Sequence, residues 1–487
     1  MNSPRDPIEF ADGPITPRLD VKVLDADIVG ELVAGCPTST SSEDRAAHSR
    51  DWWPLAMHWA LNGETWSIPG AVCMPTTVEQ VRHVVRVCSR NRVPITPMAG
   101  RSSVTGAATP ARGGIALDMT GMNKILDVDA TSGIVCVEPG MFGPAFEDEL
   151  QTKHRLTVGH FPQSFDISTV GGWVASRGAG QYSTRYGKIE DIVVGLEVIL
   201  ADSRVVRLGP HAAAAQGPEL LQLFIGSEGT LGVITKVWLR AHPLPDHRRL
   251  AAYSFTSLDL GIAAVRDSVR HGATPAVLRL YDDIESARSH AAADSRCTLL
   301  VLDEGADEII DATMRVVERY AVQHGGRVES STLVERWLEH RNDVSALAAL
   351  TQKGFVIDTM EVTSPWSRTV SIVESVKRAA LGIEGVRNAS VHLSHSYLDG
   401  ACLYFTFAAK SDDPNATYVA LWDAVQHAAL ESGSTLSHHH GVGMSRARFM
   451  PAALGESLSV LRDVKRTLDP HGIFNPGKLA LDEDYWP

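Results

Sequence analysis

The chain has few cysteines, and no two of them stand close together in the sequence. It has 487 residues but only six cysteines, widely spaced and without a C-x-x-C pair. This usage excludes a small disulfide-stapled scaffold and predicts buried free thiols in a reducing compartment. The six are Cys36, Cys73, Cys88, Cys136, Cys297 and Cys402.

Long apolar runs are also missing. No stretch reaches the ~18 apolar residues that a membrane-spanning helix needs. The N-terminus, M-N-S-P-R-D-P-I-E-F, has no apolar core of the kind that a secretory leader requires. We therefore predict a cytoplasmic protein with no integral membrane segment.

The chain has fewer basic than acidic residues. The 45 Lys and Arg residues face 58 Asp and Glu residues, for a net charge of −13. This balance argues against nucleic acid or an anionic membrane as the main partner. The hydrophobic content of 44% is that of an ordinary globular protein, and the length predicts two or three domains.

Residues 65–245 read as α+β, with short strands and glycine-rich connections. Thr77 and Gln80 predict a capping box at the start of a helix. The run H-P-L-P-D-H at 242–247 predicts a domain boundary, since two prolines interrupt regular structure there. Beyond it, strands alternate with helices, which predicts a second domain built on a sheet.

Three loops in this region are rich in Gly, Ser and Thr. They cover residues 97–106, 161–187 and 224–235. Small residues allow successive backbone N–H groups to point at one anion, and hydroxyls add further donors. One such loop is weak evidence, but three predict a single large polar cofactor, such as a nucleotide pyrophosphate. No loop has the G-x-G-x-x-G pattern of a Rossmann site.

Near the C-terminus three histidines stand side by side, as His438, His439 and His440. Histidine can donate and accept protons near neutral pH, so these residues are candidates for proton transfer. A metal site and a purely structural role are the alternatives. Neighbouring residues of a strand alternate faces, so three in a row rarely converge on one ion.

Four segments together carry a family resemblance: P-x-x-x-G-x-S-S-V-x-G, S-T-V-G-G-W-V-A-S-R, G-S-E-G-T-L-G-V-I-T and the terminal D-P-x-x-I-F-N-P-G-K-L. They make the chain similar to the FAD-binding oxidases of the vanillyl-alcohol oxidase (p-cresol methylhydroxylase) superfamily. The resemblance implies a vanillyl-alcohol oxidase-type FAD-binding domain and a sheet-based cap domain for a small-molecule substrate. The expected segments are an N-terminal helical segment (1–64), the FAD-binding domain (65–245), the cap domain (246–434) and a C-terminal segment (435–487) that carries the histidines and returns to the FAD-binding domain.

The resemblance further implies that FAD is bound non-covalently, because the first loop lacks the histidine that covalent members often carry there. The cofactor-binding residues that it implies are Pro97, Met98, Ala99, Gly100, Arg101, Ser102, Ser103, Gln163, Ser164, Asp166, Ser168, Thr169, Gly171, Gly172, Ser176, Arg177, Gly178, Ala179, Glu228, Gly229, Thr230, Gly232, Val233 and Ile234.

Within the superfamily, S-H-H-H-G-V-G and A-C-L-Y-F resemble the alkyldihydroxyacetonephosphate synthase branch. This likeness implies a catalytic group of Tyr404, His438, His439, His440 and Arg279. Arg279 would bind a substrate anion or polarise a carbonyl. Related metal-assisted hydroxy-acid dehydrogenases carry Glu where His439 stands and His where Tyr404 stands, so we expect no metal site.

Two departures bear on the substrate. The synthases carry Arg where the alignment places Leu347, and Lys where this chain has Met444. Both changes remove positive charge where a phosphorylated substrate would bind, and Arg341 and Arg446 are the cations that could compensate. We therefore expect an FAD-dependent oxidoreductase that takes hydride from a hydroxyl- or amine-bearing carbon of a small organic substrate. The alternative is the non-redox synthase reaction. A degenerate flavin-binding protein is a third option, and a homodimer is one option for its assembly.

Overall fold

The computed structural model describes residues 7–290 and 296–482. Residues 1–6, which belong to the predicted 1–64 segment and to the stretch inspected for a leader, lie outside the described residues. No helix in the described ranges is both long enough and apolar enough to cross a membrane. All six cysteines are buried and free, which confirms the prediction of buried thiols.

The N-terminal part combines short helices with two-residue strands. Every residue of its third helix is buried, and Trp53 and Trp59 meet edge to face with ring centroids 5.2 Å apart. This helix and the two tryptophans thus form a packed layer. The elements are β1 (Thr16–Pro17), α1 (Ala26–Gly35), β2 (Thr38–Ser39), α2 (Ser42–Ala47), α3 (Pro54–Ala60) and β3 (Glu64–Thr65).

The next part of the chain forms two small sheets and several short helices. Its elements are β4 (Ala71–Cys73), α4 (Val78–Asn91), β5 (Ile95–Met98), β6 (Ile115–Asp118), β7 (Ile125–Asp129), β8 (Ile134–Val137), α5 (Gly143–Glu149), β9 (Leu156–Thr157), α6 (Val170–Ser176), α7 (Ser183–Tyr186), α8 (Ile189–Ile192), β10 (Val193–Ile199), β11 (Val205–Leu208), α9 (Leu221–Phe224) and β12 (Val233–Arg240). One sheet has the order β2-β4-β6-β5, and the other has the order β11-β10-β12-β8-β7.

Helix α4 begins where its sequence predicts, but only half of the capping box is present. The Thr77 hydroxyl accepts the backbone N–H of Gln80. The Gln80 side chain accepts the backbone N–H of Thr76 instead of that of Thr77. The apolar face of the helix is buried as the helical spacing predicts, at Val81, Val84, Val85 and Cys88.

The remaining chain is dominated by one seven-stranded antiparallel sheet. Its order is β17-β14-β16-β15-β19-β20-β18. The elements are β13 (His242–Pro243), β14 (His247–Phe255), α10 (Leu258–Arg270), β15 (Val277–Tyr281), α11 (Asp283–His290), β16 (Cys297–Gly305), α12 (Asp307–Gln323), β17 (Arg327–Glu329), α13 (Thr332–His340), α14 (Ser345–Gln352), β18 (Phe355–Pro365), α15 (Thr369–Leu381), β19 (Val386–Ser396), β20 (Gly400–Lys410), α16 (Pro414–Glu431), α17 (Met450–Leu454) and α18 (Ser457–Leu468).

The two faces of this sheet differ in polarity, because side chains alternate along a strand. In β20, Leu403, Phe405 and Phe407 point into the large apolar core that α15 and α16 cover. Tyr404 and Thr406 point the other way, into a cavity. The sheet therefore carries its core on one face and presents polar groups on the other.

The C-terminus lies against the four-stranded sheet. The backbone N–H of Ile95 in β5 donates to the carbonyl of Ile473 (2.7 Å), and the N–H of Asn475 donates to the carbonyl of Ile95 (2.8 Å). Lys478 is fully buried and donates to the carbonyl of Thr109 at 2.8 Å. The boundaries of the four expected segments stay a prediction.

Candidate functional site

A cavity of about 820 Å³ lies between the three glycine-rich loops and the polar face of the seven-stranded sheet. Most of the residues predicted for cofactor binding line it, together with four of the predicted catalytic residues. The lining residues among these are Pro97, Met98, Ala99, Gly100, Arg101, Ser102, Ser103, Gln163, Ser164, Ser168, Thr169, Gly171, Gly172, Ser176, Gly178, Ala179, Glu228, Gly229, Gly232, Val233, Ile234, Arg279, Tyr404, His439 and His440.

Four predicted residues do not reach the cavity wall. Asp166 is exposed in a 3-10 turn, and the Arg177 side chain contacts Glu190 and Gln222 instead. The Thr230 hydroxyl is buried and donates to the carbonyl of Ser227, which closes the loop internally. The fourth is His438, which lies behind the wall. These four predicted residues are therefore not among those that line the cavity.

The first loop has backbone donors available for an anion. Among the described residues, the N–H groups of Gly100, Ser102 and Ser103 have no hydrogen-bond acceptor. Arg101 between them has a φ of 53°, and such a left-handed residue within a run of N–H groups is typical of anion-binding loops. A Cβ on Gly100 would come within 2.4 Å of the Ile167 carbonyl oxygen of the second loop. The loops therefore fit a phosphate-bearing cofactor, and glycine is needed for their contact.

Glu228 of the third loop lines the cavity, but its carboxylate binds a turn. Its two oxygens accept the N–H groups of Val442 (2.5 Å) and Gly443 (2.8 Å). Complete burial raises the pKa of Glu228 to about 7, against the lowering effect of these two N–H groups and of Lys478. Glu228 thus ties the loop to the turn that follows the histidine run.

The polar face of the sheet aligns three side chains in one row. Strand pairing sets Glu361 of β18 and His392 of β19 on either side of Tyr404 in β20. Directly opposite residues of antiparallel strands share a face. The Tyr404 ring stacks on His392 with centroids 4.8 Å apart, and its hydroxyl donates to Thr359 Oγ1 at 3.1 Å. Burial raises the pKa of Tyr404, so the phenol stays protonated.

Glu361 organises the histidine run. The backbone N–H groups of His438, His439 and His440 donate to its Oε1 atom at 3.2, 3.2 and 2.8 Å. Arg446 donates to both of its oxygens, at 3.1 and 2.7 Å. Burial alone would raise the pKa of Glu361, but Arg446 and His440 hold it well below its usual value. The run therefore wraps around a buried carboxylate and is not a strand.

The three imidazoles face different partners. His440 Nδ1 lies 2.9 Å from Glu361 Oε2, and the His440 ring meets Tyr404 at right angles with centroids 5.6 Å apart. The His439 ring stacks on Tyr404 from 6.0 Å. His438 turns away, with Nε2 3.0 Å from the Tyr397 hydroxyl. Two of the three histidines therefore meet the cavity beside Tyr404.

Behind the wall, His438 and His439 approach two further side chains, His395 and Cys402. One ligand atom from each of the four lies within 4.8 Å of the others. Burial is the main cause that lowers the pKa values of His395, His438 and His439 well below 6.5, so these rings are neutral.

Arg279 is a buried cation at the cavity wall, with 9% of its surface exposed. Within the described part of the chain it forms no ion pair with a carboxylate, and its Nε atom has no hydrogen-bond partner. Its contacts are His392 Nε2 and the rings of Tyr281 and Trp337. The buried Glu285 acts on it electrostatically across His392, whose Nδ1 lies 3.0 Å from Glu285 Oε1, and an anion from the cavity would supply the direct partner that the guanidinium lacks.

The residues at which the chain departs from the synthases differ in whether they line the cavity. Leu347 lines the cavity, so its lack of charge bears on the site. Met444 is buried and contacts Gly106, away from the cavity lining. Arg446 is held by Glu361 and cannot compensate, whereas Arg341 lines the cavity, with Nη1 donating to Gln181. The expectation that Met444 removes cavity charge is therefore wrong.

Four residues of the site were missed in the sequence: Glu361, His392, His395 and Tyr397. Glu361 carried a usable signal, because the acids of the otherwise mainly apolar strand F-V-I-D-T-M-E-V are costly to bury unless they are paired. His392 lies in V-H-L-S, where alternate polar residues mark a polar face of a strand, whereas His395 and Tyr397 follow a register shift that breaks the alternation. Their convergence depends on sheet register, which the pattern does not show.

Comparison with known protein families divides the chain into two matched regions. Residues 69–209 match the family described as "FAD binding domain". Residues 244–479 match the family described as "FAD linked oxidases, C-terminal domain".

Several curated proteins are similar over most of the chain. An uncharacterized FAD-linked oxidoreductase of Escherichia coli (strain K12) is 30% identical, over 85% of this chain and 90% of its own length. The alkyldihydroxyacetonephosphate synthase of Dictyostelium discoideum is 27% identical, over 86% of this chain and 74% of its own length. A glycolate oxidase subunit of Bacillus subtilis is 27% identical, over 85% of this chain and 89% of its own length.

Solved structures share the fold. A structure of alkyldihydroxyacetonephosphate synthase superposes with a TM-score of 0.80 at 24% identity, covering 96% of this chain and 90% of that chain. Substrate-bound p-cresol methylhydroxylase superposes with a TM-score of 0.79 at 18% identity, covering 97% of this chain and 100% of that chain. At these identities the likeness shows the fold alone.

Proposed function

The chain belongs to the FAD-linked oxidases, and on this premise we propose that it oxidises a small hydroxy acid at the carbon that bears the hydroxyl group. Membership confirms the predicted family, the α+β fold with its sheet-based second part, and FAD as the cofactor. The cytoplasmic location and the homodimer stay predictions. The observation that carries the proposal is the unpaired Arg279 beside Tyr404 and His440 in one cavity.

FAD would lie along the three loops. The free N–H groups of Gly100, Ser102 and Ser103 suit its pyrophosphate, and the second and third loops complete the lining. When bound, the flavin supplies a hydride acceptor. Attachment is proposed to be non-covalent, because residues 97–106 contain no histidine, cysteine or tyrosine.

Arg279 would hold the substrate carboxylate. Its guanidinium is buried, 5.4 Å from the ring centroid of Tyr281 and 5.8 Å from that of Trp337. Charge-assisted hydrogen bonds in such a setting are strong and directional. The similarity to a glycolate oxidase subunit supports a hydroxy acid as substrate. An amine-bearing acid fits the same contacts, because the arginine recognises the carboxylate.

His440 would take the hydroxyl proton. Its Nδ1 atom lies against Glu361, which leaves Nε2 as the acceptor for the cavity. A carboxylate beside an imidazole stabilises the imidazolium that forms on proton transfer. Tyr404 would orient the substrate oxygen, since its hydroxyl needs only to rotate away from Thr359. His439 stacks on Tyr404 and completes this wall.

The second candidate is the non-redox alkyldihydroxyacetonephosphate synthase reaction. It is supported by the 27% identity to the Dictyostelium enzyme together with the retained histidine run and Tyr404. Leu347 weighs against it, because this cavity residue adds no charge for a phosphate. The cations at the wall besides Arg279 are Arg101, Arg288, Arg336 and Arg341.

The absorbance of bound flavin tests the proposal. The purified yellow protein is mixed anaerobically with a panel of 2-hydroxy acids, amino acids and neutral alcohols. Bleaching by a hydroxy acid, and not by the alcohol that lacks its carboxylate, is the expected result. Exchange of fatty alcohol into acyl-dihydroxyacetone phosphate without bleaching would instead identify the synthase reaction. Absence of bound flavin would contradict both.

A further inference from the structure

We propose that His395, Cys402, His438 and His439 form a Zn²⁺ site directly behind the cavity wall. Ligand atoms from these four side chains lie within 4.8 Å of one another. Three imidazoles and one thiol are the ligand types that zinc prefers. One ligand, His439, also lines the cavity beside Tyr404, so the site adjoins the proposed chemistry, and it replaces the expectation that the chain binds no metal.

The spacing of the four atoms suits tetrahedral coordination. His438 Nδ1 lies 2.9 Å from His439 Nδ1, and Cys402 Sγ lies 4.0 Å from the same atom. With zinc bonds of about 2.1 Å to nitrogen and about 2.3 Å to sulfur, ligand atoms in a tetrahedral site stand about 3.5 Å apart. These two pairs bracket this value, and because all four ligand atoms lie within 4.8 Å of one another, contractions of at most about 1.3 Å in any pair would complete the site.

Fold topology explains why these residues converge. Pairing of β19 with β20 places His395 directly opposite Cys402. Strand alternation would separate His438 from His439, but residues 438–440 curl around Glu361 and bring both Nδ1 atoms to the same point. The alternation of side chains along a strand, which argued against a metal site at three adjacent histidines, therefore does not apply to this cluster.

Two further observations point to a ligand. His395 is 4% exposed, and within the described residues its Nε2 atom has no hydrogen-bond partner, while Nδ1 contacts the Ser394 hydroxyl at 2.7 Å. The facing Nδ1 atoms of His438 and His439 can share only one proton, and a metal would remove that constraint. His438 is further oriented through Nε2 by Tyr397, whose hydroxyl meets Ser183 at 3.1 Å. Such outer partners are typical of zinc-bound histidines.

The site would be closed, with four protein ligands and no open position, so its role is to hold groups in place. Zinc on His439 Nδ1 leaves the proton on Nε2, the other nitrogen of the ring. Binding releases the Cys402 thiol proton to solvent, because zinc takes the thiolate. The histidine run would then be fixed from two sides, by Glu361 through its backbone and by zinc through two of its rings.

Metal content and spectroscopy of the FAD-bound protein test this site without any turnover. We expect about one Zn²⁺ per chain in the purified protein. After chelation, added Co²⁺ should give intense tetrahedral bands at wavelengths longer than those of oxidised flavin. Calorimetry with Zn²⁺ gives the affinity. Tyr397→Phe should weaken Zn²⁺ binding about 10–100-fold, as loss of an outer partner does.

Ligand variants decide whether this cluster holds the metal. Cys402→Ser and His395→Gln should each weaken Zn²⁺ binding by more than Tyr397→Phe does, and Cys402→Ser should remove the cobalt–thiolate absorption. Cys297→Ser is the matched control, since that thiol is equally buried in the same sheet but outside the cluster. If Cys402→Ser fails to fold, His395→Gln carries the test. No Zn²⁺ binding by the wild-type protein, or equal affinity in the ligand variants, would overturn the site.

Discussion

At the scale of single residues, Glu361 connects the sheet to the histidine run. It is fully buried, and its oxygens receive three consecutive backbone N–H groups and two bonds from Arg446. A buried carboxylate of this kind persists only when it is paired and hydrogen-bonded. The position of His439 and His440 beside Tyr404 therefore depends on a residue of β18.

Glu361→Gln should destabilise the protein by about 3–5 kcal/mol, because it leaves the buried Arg446 guanidinium without its counter-charge. The free energy of unfolding in urea measures this loss. The control is Glu79→Gln, which breaks the exposed pair with Arg82 and should cost about 0–1 kcal/mol. Equal losses in both variants would contradict the role of Glu361.

Tyr404→Phe should slow anaerobic flavin reduction about 10²–10⁴-fold, since only the hydroxyl that orients the substrate oxygen is removed. Flavin content should be unchanged, because Tyr404 lies on the sheet and not on the loops. Tyr253→Phe, a buried tyrosine that does not line the cavity, is the control. A rate within twofold of wild type would remove Tyr404 from the mechanism.

At the scale of secondary-structure elements, β20 serves two purposes through alternation. Its odd-numbered residues Leu403, Phe405 and Phe407 belong to the core, and its even-numbered residues Tyr404 and Thr406 face the cavity. From sequence, β18 and β19 are not evident individually. Their polar residues are placed at the cavity only by pairing with β20, and strand pairing depends on contacts between residues distant in sequence.

Phe405→Ala should cost about 3–5 kcal/mol of unfolding free energy, because it leaves a cavity in the core. Thr406→Ala, one residue along the strand, should change stability by less than about 1 kcal/mol. Urea unfolding of the two variants compares the faces directly. The reverse ranking would mean that the register of β20 is wrong.

At the scale of the whole molecule, the cavity is closed by parts that are distant in sequence. Glu228 of the third loop binds the turn at Val442 and Gly443, and Asn475 donates to the carbonyl of Glu228 at 2.7 Å. The third glycine-rich loop, the turn after the histidine run and the C-terminal segment therefore meet at Glu228. The composition of the loops predicted that they share a cofactor, because glycine and hydroxyl content is local. The loop composition did not predict that the Glu228 carboxylate accepts the backbone N–H groups of the turn at Val442 and Gly443.

Stability should depend on pH through Glu228. Its pKa is raised from 4.5 to about 7 in the folded protein, so folding favours the protonated form. This contribution is fully present below the unfolded pKa and is lost as the pH rises through about 7. Between about pH 5 and about pH 8 we expect a loss of about 1–3 kcal/mol from this group. Glu228→Gln should remove that part of the slope in urea unfolding with FAD in excess; an unchanged slope would contradict the assignment.

Sequence and structure agree where the signal is local. Capped helices, glycine-rich loops and the conspicuous histidines can be recognised from neighbouring residues. Glu361, His392 and His395 could not be assigned to the site, since each reaches it through strand pairing or through a turn wound around a carboxylate. Sequence therefore predicted the loops that line one side of the cavity better than the strands that line the other.

The most direct measurement of the proposed function is the kinetic isotope effect on flavin reduction. A 2-hydroxy acid that bleaches the flavin is prepared with deuterium on the carbon that bears the hydroxyl group, and both forms are compared anaerobically by stopped flow. We expect slower bleaching with the deuterated acid, because that C–H bond breaks, and a much lower rate with Arg279→Met, which removes the carboxylate partner. Absence of bleaching by every hydroxy acid, with fatty-alcohol exchange into acyl-dihydroxyacetone phosphate, would contradict the proposal.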